Sequence, residues 1–99
     1  MLDADDNFYS RADEHINLSN SQITDEYGKG EVSASFMYSV ARYNAYVSAC
    51  GYSRSDEFVK DKEAIVNYFV GEYKKMLEEN LQDYTQNFSK YMGTGNENK

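Results

Sequence analysis

The chain has 99 residues, a net charge of -7, one Cys, no Pro, ten Tyr and five Phe but no Trp. A domain this short buries only about 60–65% of its unfolded surface, so its core is thin and assembly with a second chain would supply what the core lacks. The acidic balance argues against a nucleic-acid backbone or an anionic membrane surface as the main partner, because both require clustered Lys and Arg.

Cys50 stands alone and cannot close an internal disulfide, whereas small secreted domains are usually stapled. The opening MLDADDNFYSRADEH is acidic and lacks a basic region followed by an apolar one, so a cytoplasmic location is expected. Charge is unevenly spread: residues 1–26 hold seven acids and one base, residues 27–54 one acid and three bases, and residues 55–99 nine acids and six bases.

The first segment, Asp5 to Ile23, sets Phe8, Ala12, Ile16, Ser19 and Ile23 on one face at spacings that fit an amphipathic helix, with His15 on its margin. Acids from Asp3 to Asp6 suit the positive end of the helix dipole, and Gly28 in TDEYGKG is expected to stop the helix.

The second segment contains SASFMYSVARYNAYVSACG, residues 33–51, with Arg42 as its one formal charge. At 100° per residue, Val32, Phe36, Val40, Tyr43, Val47 and Cys50 fall on one side and Ala34, Ala41, Ala45 and Ala49 on the opposite side. A membrane span is excluded by four Ser, an Asn and a central Arg that alone costs about 2.5 kcal/mol or more in lipid. A helix apolar on two sides is expected to be buried with neighbours on both.

The third segment opens at Ser55, an expected N-cap with Asp56 and Glu57 behind it, and runs past Gly71 to Gly93. Phe58, Ile65, Val66, Phe69, Tyr73 and Met76 form one face of its first half. In the second half Leu77, Leu81, Tyr84, Phe88, Tyr91 and Met92 form a face turned by about 80°, which predicts a bend or a change of neighbour near Glu79. Unbroken, the segment would span about 57 Å against about 30 Å for each of the others. Either residues 81–92 fold back as a fourth helix or a second copy covers the overhang.

The expected architecture is therefore all-α: one domain over residues 1–92 with three helices, the third long and open to a kink, and a disordered polar tail over residues 93–99. An interleaved homodimer is the expected assembly. Its candidate interface is Ala34, Ala41, Ala45 and Ala49 together with Leu81, Tyr84, Phe88 and Tyr91.

No residue set carries a catalytic signature, and neither a cofactor nor a metal is implied. His15 lacks a ligand partner three or four residues away and is expected to be partly buried and hydrogen-bonded. Glu72, Glu79 and Asp83 share helical spacing, yet Lys75 precedes Glu79 and Lys74 precedes Glu78 by four residues, the pattern of a solvated ion-paired face. Cys50 is expected to be a small buried hydrophobe, and Gly28-Lys29-Gly30 a turn. Arg42, Tyr43, Asn44 and Tyr46 form the one candidate recognition cluster, because Arg and Tyr are enriched at binding hot spots. The competing account of Arg42 is an internal ion pair with an acid of the first or third segment.

The pieces FYSRADEHINLSN, GEVSASFMYSVARYNAYVSA and YKKMLEENLQDYTQNF, within Asn7 to Met92, resemble a family of small proteobacterial proteins known as a domain of unknown function. The resemblance implies a bacterial, cytosolic, helical protein and supplies no activity or catalytic residue. The expected role is protein binding or regulation without catalysis. One rival is a monomeric four-helix bundle that holds a small molecule or divalent ion among Tyr43, Tyr46, Tyr73 and nearby carboxylates. An enzyme is the other, opposed by the lack of a convergent nucleophile, base and oxyanion-donor set.

Overall fold

The computed structural model describes residues 5–93, and among them every regular element is helical. Three helices are long, α1 (Phe8–Ser21), α2 (Lys29–Cys50) and α4 (Lys62–Gln86), and two are short, α3 (Ser55–Lys60) and α5 (Phe88–Met92). The chain divides into two compact units, one ending at Lys60 and one beginning at Asp61.

In the first unit α1 starts at Phe8 and not at Asp5, because Asp5 is occupied in holding the entry turn. Its carboxylate accepts the Asn7 backbone N–H at 2.9 Å and a two-pronged guanidinium from Arg11 at 3.1 and 2.8 Å. The Arg11 hydrogen bonds, then the Asn7 N–H, hold the Asp5 carboxyl down at about 2 against an ordinary 3.8. A carboxyl with a depressed value contributes stability that is fully present above its unfolded value and lost as pH falls toward about 2. In R11A, the Asp5 titration is expected to rise from about 2 toward the ordinary 3.8, held short of it by the remaining Asn7 N–H, as followed by NMR of its side-chain carboxyl carbon; an Asp5 titration that stays near 2 would show that Arg11 is not the cause.

The expected stop at Gly28 is corrected. The helix ends at Ser21, and Thr24 builds the connection: its Oγ1 accepts the N–H groups of Glu26 and Tyr27, each at 3.1 Å, while its own N–H donates to the Tyr27 carbonyl at 2.9 Å. Gly28 is the N-cap of α2, and Glu31 Oε1 reaches back to its N–H at 2.7 Å, which satisfies one of the orphan donors of the helix start.

α1 and α2 pack on each other. Phe8, Ala12, Ser19 and Ile23 are half-buried, as the spacing predicts, whereas Ile16 remains exposed. The opposite margin of the stripe is used instead, with the His15 ring 6.4 Å from that of Phe36. His15 is exposed and makes no hydrogen bond among the described residues, which corrects the expectation of a partly buried, hydrogen-bonded imidazole.

Along α2 the covered line runs through Val32, Phe36, Asn44 and Ser48, at multiples of four residues. Such a row is inclined to the helix axis, as ridge-into-groove packing requires, and so departs from the axial stripe that apolar spacing suggests. Three α2 hydroxyls are satisfied on their own helix: Ser35 donates to the Val32 carbonyl, Ser39 to that of Ser35 and Ser48 to that of Asn44. These Ser residues therefore need no outside partner.

α3 starts after Arg54, which takes the capping role expected of Ser55: Phe58 N–H donates to the Arg54 carbonyl at 3.2 Å. The Arg54 guanidinium holds Asp56 at 3.0 and 2.8 Å and lowers its carboxyl below the usual range. Tyr52 and Phe58, both half-buried, meet across this turn with tilted rings 5.2 Å apart.

In the second unit α4 is unbroken through Glu79, where a bend or change of neighbour was expected. The interruptions fall at Asp61 and Asn87, the N-cap and C-cap residues of α4. α5 is tied to the last turn of α4, since Asp83 accepts from Asn87 Nδ2 at 3.0 Å and from the Tyr91 hydroxyl at 3.1 and 3.2 Å. Gly93 closes α5 with φ 67°, in the left-handed region that glycine enters without a Cβ penalty. The rest of the expected tail, residues 94–99, lies outside the described residues, as does the start of the acidic run at Asp3.

Candidate functional site

Val32 is the one buried hydrophobic residue among those described, 7% exposed, while many large apolar side chains are open. On α2, the predicted apolar side is covered at Val32 and Phe36 but open at Val40, Tyr43 and Val47. Cys50 is exposed, not the buried hydrophobe expected. Ala34, Ala41, Ala45 and Ala49 are exposed too. Burial on both sides of α2, expected from its two apolar stripes, is thus absent within the described chain.

The proposed recognition cluster is partly brought together. Tyr43 and Tyr46 are 64% and 62% exposed, with ring centroids 5.8 Å apart. Arg42 lies about 40° from Tyr46 around the helix, is exposed and makes no ion pair among the described residues. Asn44 points elsewhere: it belongs to the covered row, about 160° from Tyr46. One-residue proximity in sequence separated these side chains because each step along a helix turns by about 100°.

On α4 the open residues form one stripe that the sequence reading divided into two. Val66, Val70, Tyr73, Leu77, Leu81 and Tyr84 follow spacings of four, three, four, four and three, and Phe88 of α5 continues the series. Their exposures run from 43% at Leu77 to 60% at Val70. Val70 was missed by the sequence reading, although its place four residues from Val66 and three from Tyr73 was there to be read. Ile65, Phe69 and Glu72 form a second, half-buried row.

Of the candidate interface residues on this segment, Leu81, Tyr84 and Phe88 are open, and Tyr91 is exposed with its hydroxyl engaged by Asp83. That hydrogen bond, burial and the nearby carboxylate charge raise the Tyr91 phenol above its ordinary value. The Tyr84 and Tyr91 rings lie 4.9 Å apart, and Lys90 Nζ sits 5.9 Å from the Tyr91 ring centre.

Among the described residues no group of three His, Cys, Asp or Glu side chains converges as metal ligands would. Glu72 pairs with Lys75 at 3.3 Å, and Lys74 with Glu78 at 3.2 Å. Lys75 thus turns back to Glu72, not forward to Glu79. A groove of about 480 Å³ lies beside the α1–α2 connection, lined by Gln22, Tyr27, Glu31, Val32 and Ser35, and it includes none of the aromatic cluster. No helix among the described residues is long and apolar enough to cross a membrane.

Fold and surface together define a small all-helical protein with one buried apolar residue and open apolar helix faces among the described residues. The chain belongs to the family described as "Protein of unknown function (DUF3144)", whose model matches residues 8–85 and so extends through both units. It is similar to a solved structure, the NMR structure of the protein NB7890A from Shewanella sp, at 38% identity and a TM-score of 0.77, over 94% of this chain and 98% of that one. No curated protein matches it.

Proposed function

We propose that this protein is a non-catalytic protein-binding module that works by closing its open helix faces against another helical surface, with homodimer formation as part of that behaviour. The supporting observation is the set of exposed large apolar side chains on α2 and α4 beside a single buried one among the described residues. Contiguous apolar surface of this kind marks interaction sites in soluble proteins. Arg42, Tyr43 and Tyr46 are the recognition group: two large rings side by side, with a guanidinium free of any described acid. Their desolvation against a partner is the means by which hot-spot residues contribute affinity.

The test is capture of protein from a bacterial host by the full chain and by R42A and Y46A, with thermal midpoints measured in parallel. At these exposed positions the stability is expected to stay within about 0.5 kcal/mol of the parent, with the midpoint nearly unmoved, while the captured protein is lost. Unchanged capture, or loss of capture that follows unfolding, would reject the recognition role.

A further inference from the structure

The spacing of the seam along α4 and into α5 is the same from both ends. Counted from Leu77, Tyr73 and Leu81 stand four residues to either side, Val70 and Tyr84 seven, and Val66 and Phe88 eleven. Projected at 100° per residue, the six α4 positions from Val66 to Tyr84 occupy an arc of about 80° that contains no charged side chain between those two residues, and Phe88 follows beyond the interruption at Asn87.

We propose, resting on the binding-module reading above, that the occupant of this seam is a second copy of the chain, antiparallel to the first, with a two-fold axis passing beside Leu77. A two-fold interface is self-complementary, so a residue that meets a different one is met by it in return. A palindromic row is the pattern that satisfies this rule along a helix. Leu77 meets its own equivalent, Tyr73 meets Leu81, Val70 meets Tyr84, and Val66 meets Phe88. The two Val positions thus face the large rings, and small against large is how facing layers fill space without voids.

The flank of the seam agrees. Lys74 and Glu78, ion-paired at 3.2 Å, lie on one side close to Leu77. The two-fold gathers both pairs into a neutral cluster of four charges. The seven side chains, at their observed exposures, offer at most about 700 Å² per copy, somewhat under the roughly 800 Å² per partner that standard interfaces bury. A lone amphipathic helix gains little stability without packing of its apolar face, which gives the second copy a structural as well as a binding role.

The test combines mass and cross-linking on the full chain. Light scattering behind size exclusion is expected to give twice the 11.4 kDa of one chain, retained on dilution into the low micromolar range. In a Cys50→Ser background, which removes the exposed native thiol, Leu77→Cys is expected to form a covalent dimer with a short bis-maleimide. Tyr73→Cys and Leu81→Cys are each expected to stay uncross-linked alone and to join when mixed. A monomer mass throughout overturns the proposal. A dimer without the Leu77 cross-link, or one in which Tyr73→Cys and Leu81→Cys each cross-link alone, overturns the seam or its direction. Those last results leave the binding-module reading standing, because the Arg42 and Tyr46 variants test it on a different helix.

Discussion

V32D is expected to unfold the α1–α2 pair at room temperature, whereas V59D is expected to leave it intact. Both changes place a carboxylate where a valine stood, but Val32 is 7% exposed and Val59 is 69% exposed. A charge forced into the Val32 site has no partner and loses its water, a penalty of several kcal/mol in real proteins after relaxation. Small domains possess only about 5–15 kcal/mol in total, so this is a large fraction. Val32 also sits in the first turn of α2, where its N–H donates to the Gly28 carbonyl at 3.1 Å, next to the loop that Thr24 and Glu31 organise. Amide exchange in α1 and the ring resonances of His15 and Phe36 report the loss directly, since that ring contact exists only while α1 and α2 are packed. V32A, which removes two methyl groups and leaves a cavity, is expected to cost about 2 kcal/mol. If V32D and V59D behaved alike, Val32 would not be a core residue.

The thermal midpoint is expected to rise with protein concentration, by about 3–5 °C per tenfold, as for a folded state that unfolds to two separate chains of this size. The reason lies in α4: its 25 residues bury no side chain fully among those described, and a helix with an open apolar face draws little from propensity alone. Leu77→Glu brings two carboxylates together at the proposed two-fold axis, and the concentration dependence should vanish with it, at a lower midpoint. Calorimetry over a hundredfold range of concentration measures both slopes. A midpoint independent of concentration in the parent chain would show that each copy stabilises its own helices.

Much of the helix content was legible because it depends on local pattern. Phe8, Ala12 and Ser19 on α1, Ile23 just past its end, and Val32 and Phe36 on α2 are half-buried or buried where their spacing places them. Chain ends of helices were less legible, since caps depend on which group reaches which backbone atom. Thr24 and Glu31 decide the α1–α2 connection through particular hydrogen bonds, and Arg54 takes the position expected of Ser55. Local competition of this kind is resolved by geometry, not by residue type.

The candidate surface divides in the same way. Tyr43 and Tyr46 could be placed together from their separation, and the 100° turn per residue already set Asn44 on another side, while its place in the covered row required knowing which side of α2 meets α1. The apparent turn of the apolar face near Glu79 arose from reading Ile65, Phe69 and Met76 together with Val66 and Tyr73. With α4 continuous, the half-buried row and the open seam resolve into two rows along one unbroken helix.

By itself the sequence determined an all-α, acidic chain with amphipathic helices, because periodicity and net charge are properties of residue order alone. Only the tertiary structure decided which apolar rows are covered and which remain open. Helix packing selects an inclined row of side chains whose direction follows from the crossing of two helices, a relation that neither helix carries in its own sequence.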